Sequence, residues 1–282
     1  MKGRKAFVMI LIAIFASGAI FTSCKKDNTS DDSNKKANYR SAQDNSTADN
    51  IFSHVFNEVN KGARYTGSKN IQDTIQGCPV TYITPGGFSY PKTITLDFGT
   101  ACTGTDGIIR SGKIISTISA PYIDSNSVVT STLQNFHEII SGKDYSVTGT
   151  EVITNLGHNQ AGHPIYSVNV TGASVTSTDG TISWTSTRQN EWFAGYNTYM
   201  NWLDDEYRIS GSANGVDING ATFTVNITLP LEVQVGCWYI KKGKIDIINP
   251  GYATITVDYG DGTCDNIIYV VINGVTYTVV VG

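Results

Sequence analysis

From Cys78 onward the apolar residues fall at every second position. Thr93-Ile94-Thr95-Leu96-Asp97-Phe98 puts Ile94, Leu96 and Phe98 on one face, and Thr254 to Tyr259 repeats the arrangement with Ile255, Val257 and Tyr259. Side chains of a strand alternate between its faces, so the pattern predicts antiparallel sheet with one buried face, and the Gly, Asn and Asp clusters between the runs supply turns. Upstream the period changes. Ile51, Phe52, Val55, Phe56 and Val59 recur three and four apart between Asp49 and Lys61, which predicts an amphipathic helix capped by Asp49, ended by Gly62, and covering one end of a sheet. His54 lies off that stripe and is expected to face solvent. The fold class expected is mainly β, an antiparallel β-sandwich or elongated rolled sheet with one N-terminal helix.

Two stretches share an order of features. Residues 78–119 and 237–281 each begin with a Cys and continue through a Gly/Pro turn, an alternating strand ending TLDFG or TVDYG, a second Cys in a Gly/Asp loop, and a β-branched hairpin. Between them, Asp144 to Gly149 (DYSVTG) resembles Glu206 to Gly211 (EYRISG). The chain from 49 to 282 is therefore read as one β-rich domain with related modules near its two ends. Four cysteines allow three pairings; the matching modules favour Cys78–Cys102 and Cys237–Cys264, in an oxidising compartment.

The first 23 residues run from a basic start into an apolar stretch, Ala6 to Phe21, too short for a comfortable membrane span. They read as a signal peptide, and residues 24–48, polar with mixed charge, as a flexible tether. The 282-residue chain has a formal net charge of −4, and loss of Lys2, Arg4 and Lys5 with the leader makes it more acidic, which argues against nucleic acid as partner.

Candidate chemistry is sparse. The densest aromatic stretch contains Trp184, Arg188, Trp192, Tyr196, Tyr199, Trp202 and Asp204, residue types suited to a ligand surface: flat rings for sugar faces, charged groups for hydroxyls. The competing role for those rings is to fill a wide core. Asp258, Asp261 and Asp265 are weak candidates for calcium, a hard cation that favours clustered carboxylates, although the EF-hand spacing is absent. The alternative is an Asp/Gly turn pinned by a disulfide. His158 and His163, with Glu151 or Glu138 as a distant third ligand, make a still weaker metal set, and solvent-facing loop histidines are the expected state. No GxSxG elbow, P-loop or GxGxxG occurs, and no spaced carboxylate pair marks a glycosidase.

Several motifs carry a resemblance. Phe21-Thr22-Ser23-Cys24 is similar to the lipobox of bacterial lipoproteins, which implies cleavage before Cys24 and acylation of its thiol, palmitate included. Cys24-Lys25-Lys26-Asp27, the Asp/Asn-rich tether and the DYGDGTCDN loop resemble uncharacterised Bacteroidota cell-envelope lipoproteins. Tyr259-Gly260-Asp261-Gly262 is similar to the FGDG signature of PKD-type sandwich domains, with a departure at Cys264. What the resemblance implies is a lipid-anchored outer-membrane protein, on the periplasmic or cell-surface face, that binds glycan or another envelope protein or serves a structural role. A polysaccharide-acting hydrolase and a carrier of an apolar ligand are the alternatives. Asp73-Thr74-Ile75 also resembles the short O-glycosylation sequon of exported proteins in that phylum.

Overall fold

The computed structural model describes residues 36–66, 74–199, 201–235, 237 and 239–280, so the leader, Cys24 and Asp73 lie outside the described residues. Among the described residues one helix, α1 (Tyr39–Tyr65), precedes fourteen strands. These are β1 (Thr74–Ile75), β2 (Val80–Thr84), β3 (Lys92–Thr103), β4 (Ile109–Ile118), β5 (Val128–Ile140), β6 (Lys143–His158) and β7 (Pro164–Ser177), followed by β8 (Gly180–Ala194), β9 (Glu206–Val216), β10 (Thr222–Gln234), β11 (Lys242–Ile248), β12 (Ile255–Asp261), β13 (Ile267–Ile272) and β14 (Val275–Val280). Every strand pairs antiparallel with its neighbour in sequence, so the sheet is a single uninterrupted meander. Of the two architectures left open by the sequence, this is the rolled sheet.

The roll follows from what α1 touches. A methyl group added at Gly62 would meet Ile94 and Leu96 of β3. Elsewhere along the helix His54 meets Glu138 of β5, Asn45 meets Trp184 of β8, Asn60 meets Tyr207 of β9, and Ser41 meets Asn249 just after β11. Laid flat, β3 and β11 stand roughly 38 Å apart at ~4.8 Å per strand. A helix only about 10 Å across reaches both because the sheet curls round it. The buried helix residues, among them Ser41, Asn45, Ala48, Phe52, Val55, Phe56, Val59 and Ala63, make one broad stripe at three- and four-residue spacing, and it faces the concave side.

The helix is longer at both ends than the expected Asp49–Lys61. Ten residues assigned to the tether, 39–48, are helical, and Gly62 lies within the helix rather than at its end. The apolar stripe thins to Ser41, Asp44 and Asn45 there, and polar tertiary bonds take its place. Asn38 caps the helix, its side chain accepting from the Arg40 and Ser41 amides. It also donates to Asp217 Oδ2 at 3.2 Å, to which Ser41 Oγ donates at 2.7 Å. The other Asp217 oxygen accepts from the Asn219 and Ala221 amides at 3.0 and 2.9 Å. Burial raises this carboxyl's pKa, but the bonds from Ser41, Ala221 and Asn38 outweigh it and hold it below the usual range. Asp217→Ala leaves these donors unpaired and is expected to cost about 1–3 kcal/mol in urea unfolding at neutral pH. The wild-type advantage fades as pH falls through the lowered pKa, because the unfolded chain takes up its proton first. An equal loss at all pH values would show that the carboxylate charge plays no part.

Inward residues of the strands complete the core: Ile94, Leu96, Phe98, Ile114, Ile153, Val168, Val175, Trp184, Val225, Ile247 and Ile255 are all nearly inaccessible. Gly149 and Gly211, the final residues of the two similar YxVxG and YxIxG stretches, both have positive φ, and both lie where strand register shifts. At Gly211 a Cβ would sit 2.1 Å from the Thr187 carbonyl oxygen, so glycine alone fits this bulge. Both expected disulfides are present, Cys78–Cys102 with Cα atoms 5.7 Å apart and Cys237–Cys264 at 5.9 Å. Each closes the open end of a hairpin, β2–β3 or β11–β12. Because direction alternates along the meander, β2 and β11 run oppositely, and the two closures lie at opposite ends of the roll.

Candidate functional site

The aromatic stretch divides at the end of β8. Within the strand, alternation turns Trp184, Arg188 and Trp192 to the concave side. Trp184 stacks on Phe52 with centroids 5.6 Å apart and donates from Nε1 to Asn45 at 3.0 Å. Arg188 donates to Asp49 at 3.0 Å. Trp192, 1% exposed, stacks on Tyr207. These three members of the expected ligand surface are core residues. The remaining four lie beyond the strand, in the connection to β9, where Gly195 in the left-handed region turns the chain into two short 3-10 turns, Tyr196–Thr198 and Trp202–Asp204.

That connection packs over the C-terminal end of α1 through Arg64. The Arg64 guanidinium is 3% exposed, donates to Asp205 Oδ2 at 2.5 Å, to the Tyr207 hydroxyl at 3.0 Å, to Asn60 at 3.1 Å and to the Tyr199 carbonyl at 3.1 Å, and lies over the Trp192 ring at 4.4 Å. Burial opposes its charge, but Tyr207 and Asp205 raise its pKa on balance. Burial also pushes the Asp205 carboxyl up against the pull of Arg64. Around this pair Tyr122, Tyr166, Tyr199 and Tyr207 are all raised, in each case chiefly by burial. The cluster anchors the connection and does not face solvent.

What faces solvent is the outer layer. Trp202 is half-buried, with the Lys61 ammonium 4.6 Å from its ring centroid, and Leu203 beside it is 60% exposed. Asp204 is exposed and accepts from Thr198 at 2.7 Å. Tyr196 is half-buried against His163. On the convex face below, His163 and Asn159 both bond Glu191 Oε1, at 2.6 and 2.9 Å. Arg208 links Glu191 to Glu232 and lies 4.1 Å over the Phe193 ring. Half-exposed rings, an apolar tip and fixed charges of both signs thus share one end of the roll.

The other candidates are used elsewhere. Asp258 pairs with Lys244 at 2.8 Å, Asp261 accepts from the Thr263 amide and hydroxyl, and Asp265 accepts from the Ile267 amide. Each carboxylate therefore serves its own strand or turn, and no group of three potential metal ligands occurs among the described residues. His158 is exposed, whereas His163 is committed to Glu191. Neither distant ligand can join them, because Glu138 and Glu151 point into the core, 0% and 2% exposed.

His54 is a correction: it is not on a free surface, its Nδ1 lying 2.9 Å from Glu138. The Arg110 Nε donates to the other Glu138 oxygen at 2.8 Å, and its terminal nitrogens clasp Asp106. Burial opposes the Arg110 charge, yet Asp106 and Glu138 raise its pKa on balance. Sequence reasoning named Glu138 and Glu151 only as distant metal ligands and missed their burial, the Arg110 group and the Arg64–Asp205 pair. Strand parity held the signal for the two glutamates. Glu138 follows Phe136 at the inward spacing, and Glu151 falls between Val147 and Ile153 in the same register.

The described residues form a one-helix, fourteen-stranded antiparallel roll with a polar-aromatic end. No known protein family, curated protein or solved structure matches the chain.

Proposed function

We propose that the protein is a lipid-anchored envelope component that binds a glycan or a protein of the cell envelope through the end carrying Tyr196, Trp202, Leu203 and Asp204. The anchor rests on the sequence around Cys24. The binding reading rests on one observation above all: these four residues remain on the surface while the deeper Arg64 cluster holds them in place. Rings presented on a fixed frame lose little freedom when a ligand covers them. The alternatives have less support. A carrier needs an open interior, and α1 lays its apolar stripe along the concave side. A glycosidase needs two carboxylates facing each other across a cleft, and Glu191, Glu232 and Asp205 are tied to Arg208 or Arg64.

The test is tryptophan emission of the full chain in mild detergent, titrated with a panel of envelope polysaccharides and soluble peptidoglycan fragments. A saturable change is expected for at least one member, lost in Trp202→Ala and Leu203→Ser at unchanged melting temperature. If no member perturbs the emission, and neither substitution weakens retention on isolated envelopes, the binding role fails.

A further inference from the structure

The two edges of the sheet are unlike. At one end β1 has two residues, Thr74–Ile75, and so short a strand offers little ladder to a stranger. At the other end β14 offers six, Val275–Val280, and none is charged, proline or glycine. Val275 is 52%, Tyr277 50% and Val280 65% exposed, and Thr276 and Thr278 are exposed as well. Strand edges left bare in this way invite pairing, and monomeric proteins guard them with charge, proline, bulges or a cover. Among the described residues no strand lies against the outer edge of β14.

The register fixes what the edge presents. Ile272 pairs with Val275 across the two-residue turn Asn273-Gly274, both at positive φ, the geometry of a tight hairpin turn. The residues flanking such a turn exchange backbone bonds, so Val275, Tyr277 and Val279 direct theirs to β13. Thr276, Thr278 and Val280 direct their N–H and C=O groups to the open side. Val275, Tyr277 and Val279 share the concave face with Ile272, Val270 and Ile268, their partners on β13.

We propose that β14 pairs antiparallel with β14 of a second copy of this chain, about a two-fold axis through Tyr277. In that register residues 275–279 each meet their own kind: Tyr277 faces Tyr277, Val275 faces Val279, and Thr276 faces Thr278. Aromatic pairs and threonine pairs directly opposite are stabilising cross-strand combinations, and no like charges meet because the strand has none. The backbone agrees with the side chains. Thr276 and Thr278 become the pair that exchanges hydrogen bonds, twice over by symmetry, and Tyr277 falls at the close, non-bonded position. The two concave faces continue into one another, and the half-exposed Val275 and Tyr277 gain a neighbour on the side they lack one. The interface is isologous and closes at two copies.

Sedimentation of the full chain in mild detergent is expected to give twice the monomer mass. Thr276→Lys with Thr278→Lys sets lysine against lysine across the axis at solvent-exposed positions, and is expected to return the mass to the monomer at unchanged circular dichroism. Tyr277→Cys places the new thiols at a spacing suited to a disulfide and cross-links on mild oxidation, whereas Thr276→Cys does not meet itself and stays uncross-linked. A monomeric mass for the unaltered chain, a dimer that survives both lysines, or cross-linking through Thr276→Cys in place of Tyr277→Cys each overturns the proposal.

Discussion

Glu151→Gln is expected to flatten a fall in stability that the unaltered protein shows between about pH 4.5 and pH 8. Glu151 sits mid-strand in β6 on the concave face, 2% exposed, and neither carboxyl oxygen has a hydrogen-bond partner. Across the strands it faces Ser131, whose hydroxyl is bonded to Ser116, and Val170. Burial alone pushes its pKa from 4.5 up to about 8. The sign follows from an acid raised on folding. Below its unfolded pKa the carboxyl is protonated in both states and imposes no ionisation penalty. Between the two values unfolding releases a proton, so stability falls by about 1.4 kcal/mol per pH unit, and above the folded value it is flat. The accumulated loss is about 3 kcal/mol at pH 7, of a size with much of a domain's net stability. Urea unfolding at pH 5 and pH 7.5 measures it: the gap between the two is expected to shrink in Glu151→Gln by nearly that amount. Parallel pH profiles for the two proteins would mean that Glu151 is solvated or paired in solution.

The second large effect is at Arg64. Arg64→Met removes the cation from Asp205 and leaves the carboxylate buried beside Tyr207, with an expected loss of about 3–5 kcal/mol. Asp205→Leu alone should cost a similar amount by stranding the guanidinium. The double substitution removes both charges and is expected to recover most of the loss, since a packed apolar pair often does as well as a buried ion pair. Unfolding of the four proteins as a double-mutant cycle reads the coupling directly. If the double variant is as unstable as the two single losses added together, the residues are not coupled and the anchoring role of Arg64 is wrong. The cycle also bears on the end proposed to bind, because the connection carrying Trp202 is held through Asp205 and the Tyr199 carbonyl.

Much of the fold was legible because period-two alternation is a local property. Ile94, Leu96 and Phe98, or Ile255 and Val257, announce the buried face without knowledge of any partner strand, and the two Cys-framed hairpins could be paired by their likeness. The number of sheets was not legible. Sandwich and roll place the same residues inside, and only tertiary contacts such as Asn45 to Trp184 distinguish them. The helix was short by ten residues at its start because Ser41, Asp44 and Asn45 carry no apolar signal; they are buried by hydrogen bonds to groups far along the chain. In the aromatic stretch, composition marked the segment, but the turn at Gly195 decided which rings fill the core. Trp184 and Trp192 lie before it and Trp202 after. The inner likenesses are harder to explain by descent. The hairpins with disulfides are nine strands apart and the YxVxG and YxIxG strands only three, so one duplication does not generate both.

The position of α1 ahead of all fourteen strands sets an order of assembly. Each hairpin of a meander closes a short loop and forms quickly. The helix has no such neighbour: Phe52 waits for Trp184, and Asn60 for Tyr207. A chain emerging amino-end first meets β3 to β5 early, through Gly62 and His54, but keeps part of its stripe uncovered until β8 and β9 have been delivered. In that interval the exposed part of the stripe is open to contact with other chains, and the wrapping of the sheet is the step that ends it.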